Sequence, residues 1–371
     1  KYPDIANATI DIELPTDSLP SVPGSDALRH ADADAIDLLG DELTDAVVAP
    51  ATNRLDSQRK PPLPERGQNL LYYYSRRFNN ESTAKVYTPL RDLLNRENEK
   101  KREALARGDT NSPVARQPWV YGCAARGNTF LMAGHSLDFF DYYRHADNAF
   151  TYETSNRDPR VWQWDSYLCD VGRALDHRLG KRFGIYIKPH RGAPIQRTLA
   201  AASRGCKQIF FYTYGPDYWK ADGFAGNTNT LRAVSRAARL LAGSEGIIYD
   251  AEWAAPAEVA VVRPLTGEYF GNAAASENGK WVYQALTHAH IPVDALDEGF
   301  LLSEDLSRYK IIYISGSHIR RDAAARLATW VESGGVLYTS GWGLARDEAS
   351  QPLEILQPAL GLKSRGTMEM W

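Results

Sequence analysis

Short apolar runs alternate along the chain with stretches whose apolar residues recur every three to four positions, and the pattern starts near residue 67. Asn69–Tyr74 (NLLYYY) predicts a buried strand, and Ser82–Arg107 a helix with Val86, Leu90, Leu93 and Leu94 on one face. Further strands are predicted at Trp119–Ala124, Ala149–Glu153 (AFTYE), Phe183–Lys188 (FGIYIK) and Gln208–Tyr214 (QIFFYTY). Helices fall between them at Leu137–His145, Ser166–Leu179 and Ile195–Arg204, and a last one at Thr230–Leu241. The helical step is clearest in Leu168, Val171, Leu175 and Leu179, and in Leu231, Val234, Ala238 and Leu241. Strands that are apolar on both faces and alternate with helices imply a parallel sheet. The strands end in polar or aromatic groups: Arg126 and Asn128, Glu153, Lys188 and His190, then Tyr212, Tyr214, Asp217 and Tyr218. A β/α barrel gathers such ends on one face, where barrel enzymes carry their chemistry, so a barrel is preferred to an open sheet.

A second unit is predicted after Ala254. Its strands are Glu258–Arg263 (EVAVVR), Ile291–Leu296, Tyr309–Ser315 (YKIIYIS) and Gly335–Ser340 (GVLYTS). Helices are expected at Gly279–His290, with Val282, Ala285, Leu286 and Ala289 on one face, and at Arg321–Ser333, stopped by Gly334-Gly335. This is the pattern of an open, doubly wound sheet of flavodoxin type. Residues 1–65 hold eight of the twenty prolines and little periodicity beyond a short helical stretch near Asp32–Leu43. They read as a loop-rich entry segment of the barrel. The expected division is 1–65, then 66–253 as the later strands of a (β/α)8 barrel, then 254–371. The missing early strands are expected upstream of Lys1, and a chain ending at Trp371 without further closing elements is expected to be a piece of a longer one.

Charge and composition narrow the ligand. A net charge of −3 argues against nucleic acid, whose phosphates need a concentrated Lys/Arg surface. No apolar run reaches the length of a membrane span, and KYPDIANATI has no signal-like core; the compartment stays open. The three cysteines, Cys123, Cys169 and Cys206, are odd in number and far apart, which suits buried small side chains better than a disulfide or zinc set. No metal-ligand spacing and no glycine-rich phosphate loop occurs, so no cofactor is expected. The 9 Trp and 20 Tyr cluster after apolar runs, and rings of this kind stack on the C–H faces of sugars as readily as they fill cores.

The segments AEVAVVRPL, WVYQALTHAHIPVDAL, YKIIYISGSHI and RLATWVESGGVLYTSGWGLARDE together resemble the amidotransferase-like trimerisation domain of glycoside hydrolase family 42 β-galactosidases. The stretch from about residue 67 to residue 250 is similar to the later half of that family's barrel, on strand order, the YYYSRRF entry and FFYTYGP. The resemblance implies carbohydrate as ligand, a homo-oligomer held through the C-terminal domain, an acid/base Glu after an Asn at the fourth strand end and a nucleophilic Glu at the seventh. With Gln208–Tyr214 as the eighth strand, the seventh is Phe183–Lys188, and it ends Lys188-Pro189-His190 without a carboxylate. Asn80-Glu81 follows Asn69–Tyr74, but there a carboxylate is favoured simply as a helix-start residue.

Glycoside cleavage by the common routes needs two carboxyl groups. Glu153, at the end of an apolar run, is the candidate for one; it serves equally as a structural partner of Arg157 or Arg126. Asp165 in WQWDSY is the candidate for the second, although Asp is also a preferred helix cap. Lys188 and His190 form a basic pair suited to a sulfate or uronate. Tyr212, Tyr214, Tyr218 and Trp219 form one expected sugar platform, with Phe210 and Phe211 as core. Trp162 and Trp164 form another, and Arg126 and Asn128 complete the candidate rim. Ser315-Gly316-Ser317-His318 reads as a plain turn, since an amidotransferase elbow would carry a Cys and none follows Cys206. The sequence thus supports a glycoside hydrolase, or a non-catalytic carbohydrate-binding or oligomerisation module of the same architecture.

Overall fold

The computed structural model describes residues 7–12, 69–70, 73–74, 77, 87–109, 119–124, 148–152, 163–180, 182–189, 193–212, 214–215, 223–249, 251, 256–270, 273–340 and 343–365. Two compact units emerge: Lys1–Leu14, Asn80–Asn128 and Phe139–Ala254 form one, and Pro15–Asn79, Thr129–Asp138 and Ala255–Trp371 the other.

The first unit holds a five-stranded sheet of β1 (Asn7–Ile12), β2 (Trp119–Ala124), β3 (Asn148–Tyr152), β4 (Arg182–Ile187) and β5 (Gln208–Phe211). All are parallel, and each pairs with its neighbour in the sequence, in the order β1-β2-β3-β4-β5. Helices α1 (Tyr87–Ala106), α2 (Gln163–Leu179), α3 (Pro194–Ser203) and α4 (Thr228–Ile248) connect or follow the strands. The α/β class with parallel sheets expected from the pattern is therefore present. On α2 the predicted stripe is the packed one: Leu168, Val171 and Leu175 are buried. Gly172 lies so close to β4 that a Cβ there would meet the Phe183 ring at 2.4 Å, so the helix seats on the strand only because this residue lacks a side chain. At the same amino end of the strands, the Lys207 ammonium caps α4 by donating to the carbonyls of Ile248 (3.2 Å) and Tyr249, and Arg182 donates to the Tyr249 hydroxyl.

Several details differ from the sequence reading. Asn69–Tyr74 is not a strand: Asn69, Leu70, Tyr73, Tyr74 and Arg77 are helical and belong to the other unit. Asn69, Leu70 and Tyr73 are buried, a helical spacing that a continuous apolar run conceals. The first strand is Asn7–Ile12 instead, whose Ala8, Ile10 and Ile12 alternate with polar residues inside the proline-rich entry. Leu93 is 46% exposed, because the packed face of α1 runs through Asn98, about 140° away around the helix. On α4 the buried positions are Thr230 and Ala237, one residue before the Ala238 stripe. The predicted helix Leu137–His145 and the Asp32–Leu43 stretch lie outside the described residues.

The second unit holds β6 (Val259–Arg263), β7 (Val293–Asp297), β8 (Ile311–Ile314) and β9 (Val336–Tyr338), all parallel in the order β7-β6-β8-β9. Helices α5 (Leu265–Tyr269), α6 (Ala273–His288), α7 (Phe300–Ser303) and α8 (Arg321–Glu332) accompany them. Its core includes Val261, Val262, Ala295, Leu296, Ile312, Ile314, Ala323 and Leu327. On α6 the packed positions are Lys280, Tyr283 and Gln284, while Ala285 and Ala289 are exposed; burying one Tyr removes more apolar surface than burying two alanines. The Asp-Glu of LARDE has a structural use. Asp347 accepts from Arg321 Nη2 at 2.5 Å, and Glu348 accepts the Arg321 amide at 2.8 Å, so both carboxylates sit at the amino end of α8, where its dipole favours them.

His318 anchors the turn after β8. Its ring stacks on Phe270 with centroids 4.5 Å apart; Nδ1 is 2.8 Å from Ser317 Oγ and Nε2 3.0 Å from Ser350 Oγ. Burial first, and then the Arg346 cation, push its pKa down to about 4, against a smaller opposing pull from Asp347. The unfolded chain therefore takes up this proton before the folded one as pH falls. The contribution is whole above a pH of about 6.5 and is lost as pH drops from there towards 4, by about 3 kcal/mol in all. Denaturant melts at pH 7.5 and 4.5 should show a pH-dependent stability loss smaller in His318→Asn than in wild type. Equal losses in the two proteins would contradict this assignment.

Candidate functional site

Because β1 to β5 are parallel and paired in register, the residues following them leave the sheet at one edge. Tyr152 pairs with Tyr186, and Ile187 with Phe211. Lys188 thus emerges from β4 beside Tyr212, which follows β5 and is held there by its amide donating to the Ile187 carbonyl at 2.9 Å. The Lys188 ammonium lies over the Tyr212 ring, 5.2 Å from its centroid, within cation–π range. Tyr186 meets Tyr212 edge-on at 5.9 Å and Phe210 edge-on at 4.8 Å. Tyr214 is 75% exposed and rests edge-on against the buried Phe224, 5.9 Å between ring centroids. The chain is pinned there by the Ala225 amide on the Gly215 carbonyl, and α4 begins just beyond, capped by Asn227 on the Thr230 amide.

Two of the expected site residues, Lys188 and Tyr212, meet at this edge, and Tyr214, two residues further on, rests on Phe224. The structure adds Tyr186 and Phe224, the two rings that set the angles of Tyr212 and Tyr214. Tyr186 sits inside an apolar strand, so its period-2 placement on the same face as Lys188 was the only signal for it. Phe210 is not core: it is 49% exposed, because β5 pairs on one side only among the described residues. Asp165 is not a cap, since α2 starts at Gln163 and Asp165 occupies its first turn; the side chains of Trp164 and Asp165 lie outside the described residues. Glu153 is the next residue after Tyr152, the last of β3. It, Arg126, Asn128, Trp162, His190, Tyr218 and Trp219 lie outside the described residues, as does Glu81. A further Asn-Glu pair, Asn98-Glu99, occurs in mid-helix, with Glu99 on the surface beside Arg102.

In the other unit, Ser315 is buried with its hydroxyl 3.0 Å from Asn278 Nδ2, and the lowered pKa of His318 leaves that imidazole neutral and weakly basic. Cys206 is buried, its thiol pushed up to about 12 by burial, which suits packing rather than nucleophilic attack. Among the described residues no group of three or more His, Cys, Asp or Glu is placed to hold a metal ion, and no helix is long and apolar enough to cross a membrane.

No family model matches the sequence, and no curated protein matches it. Solved structures do match. Gan42B, a GH42 β-galactosidase from G. stearothermophilus, superposes with a TM-score of 0.60 at 16% identity, over 89% of this chain and 50% of that one. A catalytic mutant of the same enzyme gives 0.58 at 17% identity, over 87% and 50%. An exo-carrageenase GH42 from Bacteroides ovatus gives 0.55 at 10% identity, over 86% and 45%. The chain spans about half the length of these proteins. In its fold the chain is GH42-like, similar to the family 42 glycoside hydrolases over the parts it shares with them.

Proposed function

We propose that the chain is a glycoside hydrolase acting on a galactose-type or related polysaccharide or oligosaccharide, neutral or acidic, at the carboxyl edge of the first sheet. The observation that carries this reading is the placement of Lys188, Tyr212 and the exposed Tyr214 at that edge, one strand away from the end of β3. In this reading the sheet is the later part of a (β/α)8 barrel, with β1 supplied by the entry segment 1–65 and the other four strands by 66–253. The consecutive strand order supports it, because barrel strands pair in chain order. Glu153 is one catalytic carboxyl and Asp165 the other. Arg126, Asn128, Trp162, Trp164, His190, Tyr218 and Trp219 line the cleft with the three residues above. Lys188 supplies a point charge for a sulfate or carboxylate on the sugar. Lys188→Met should therefore weaken binding of sulfated galactan oligosaccharides about tenfold while barely changing binding of the unsulfated ones, by calorimetric titration. An equal change for both would remove the acidic-sugar part of the proposal.

A second reading, a carbohydrate-binding module without turnover, is favoured by one feature: the β4 end, Lys188-Pro189-His190, carries no carboxylate. The C-terminal unit, 254–371, we read as flavodoxin-like and amidotransferase-like in ancestry. Its order β7-β6-β8-β9 is 2-1-3-4 in the unit's own numbering, the start of the flavodoxin order. Its role in this reading is subunit contact within a homo-oligomer. Light scattering on the full chain should give a multiple of 41.4 kDa, and a monomeric mass at micromolar concentration would count against it.

A further inference from the structure

After β8 the chain turns at Ser317-His318, and this turn is clamped to a loop further along. The Arg346 amide donates to the Ser317 carbonyl at 2.9 Å, and the Ile319 amide to the Arg346 carbonyl at 3.0 Å. The loop then closes on itself. Asp347 Oδ1 accepts the amides of Ala349 at 3.0 Å and Gln351 at 2.8 Å, and the Ser350 amide donates to the Asp347 carbonyl at 2.9 Å. Arg346 Nη1 donates to the Ser350 carbonyl at 2.7 Å. Together these bonds hold Ser350 at a φ of 58°, in the left-handed region that glycine enters freely and a residue with a side chain only at a cost. A loop that merely had to close would be served better by Gly or Asn there.

The strained position presents a hydroxyl to an imidazole. Ser350 Oγ stands 3.0 Å from His318 Nε2, 32 residues away in sequence, and His318 Nδ1 stands 2.8 Å from Ser317 Oγ. The imidazole is 8% exposed, and the Phe270 ring, stacked 11° from parallel, fixes its plane; both serines are half-buried. A neutral imidazole has one N–H donor and one acceptor nitrogen. With its proton on Nδ1 and donated to Ser317, it accepts the Ser350 hydroxyl on Nε2. Burial and the nearby Arg346 cation favour that neutral form. Hydroxyl, base and orienting group stand in the order that nucleophilic catalysis uses.

We propose that Ser350 is a nucleophile, with His318 as its general base and Ser317 as the positioning residue of that base, and that its substrates are acyl donors with a good leaving group, such as aryl esters or thioesters. Ser350 Oγ forms the bond to the acyl carbon while its proton passes to His318 Nε2. The bond to the leaving group then breaks, and that group departs with the electron pair and takes up the proton. The restriction to activated donors follows from the parts present. A hydroxyl, not a carboxylate, backs the imidazole, and the amide that follows the serine, Gln351, is engaged by Asp347. The positive charge beside the serine is the Arg346 guanidinium. This site lies in the C-terminal unit and does not depend on the glycosidase reading.

The test treats the full chain with diisopropyl fluorophosphate, which undergoes the same step at phosphorus: the Oγ–P bond forms, the P–F bond breaks and fluoride leaves. Peptide mass spectrometry should place the adduct on Ser350 in the native protein and find none there in the heat-denatured one. His318→Gln should slow labelling on the order of a hundredfold. Ser350→Gly, which suits the left-handed backbone and so keeps the loop, should remove the adduct without exposing another serine. No adduct on Ser350, equal labelling of the denatured chain, or an unchanged rate in His318→Gln would overturn the proposal. Should His318→Gln fail to fold, Ser317→Ala keeps the imidazole and removes only its partner on Nδ1. Labelling about tenfold slower at an unchanged melting temperature would support the assignment, and an unchanged rate would overturn it.

Discussion

Arg263→Ala is expected to destabilise the C-terminal unit by about 3–5 kcal/mol, a large fraction of a typical domain's total stability. Arg263 closes β6 and Glu268 lies one turn further on, in α5. Their side chains are 2% and 1% exposed, and the guanidinium grips the carboxylate twice, Nε to Oε1 at 2.8 Å and Nη2 to Oε2 at 2.5 Å. Neither charge is cheap to bury, so the pair as a whole adds little net stability compared with apolar residues of similar volume. Breaking it is another matter, because Glu268 then stays buried without its bidentate partner. Denaturant melts of Arg263→Ala, Glu268→Ala and the double variant separate these terms. The double variant should lose clearly less than the sum of the singles. Additive losses would mean that the two side chains act independently, contrary to their geometry.

How much of this was legible in the sequence varies with the physical signal. Trp119–Ala124 is a strand over just those residues, and the strands near 149, 183, 259, 293, 311 and 336 fall within one or two positions of their expected ends, while the one starting at Gln208 stops at Phe211, three residues early. In those cases a short apolar run was bounded by helical periodicity on at least one side. Asn69–Tyr74 had no periodic helix before it, and five apolar or aromatic residues in succession, Leu70 to Tyr74, look the same as strand or as buried helix. What decided it was tertiary: Tyr73 finds Leu265 and Tyr269, nearly two hundred residues away, which no local pattern announces. Asn7–Ile12 was hidden for the opposite reason, a clean two-residue alternation embedded among prolines.

The site shows the same division. Lys188 and Tyr212 follow neighbouring strands, and parallel pairing alone brings strand ends to one edge, so their meeting could be read from order. Phe210 could not, because its exposure depends on β5 lacking a second neighbour among the described strands. Tyr186 escaped notice because a Tyr inside an apolar run is usually core. In this sheet it is core, and it also meets the rings of Phe210 and Tyr212 edge-on.

The proposal as a whole rests on Glu153, the carboxylate that the sequence places directly after β3, next in the sheet to the strand that delivers Lys188. Glu153→Gln keeps the shape and most of the hydrogen bonding of the side chain while removing its charge and its proton. On an active wild-type preparation, assayed against neutral, sulfated and uronic galactans, this substitution should lower turnover on the order of a hundredfold or more, with KM and melting temperature nearly unchanged. A variant that folds like the wild type and turns over as fast would contradict the assignment of catalysis to this rim.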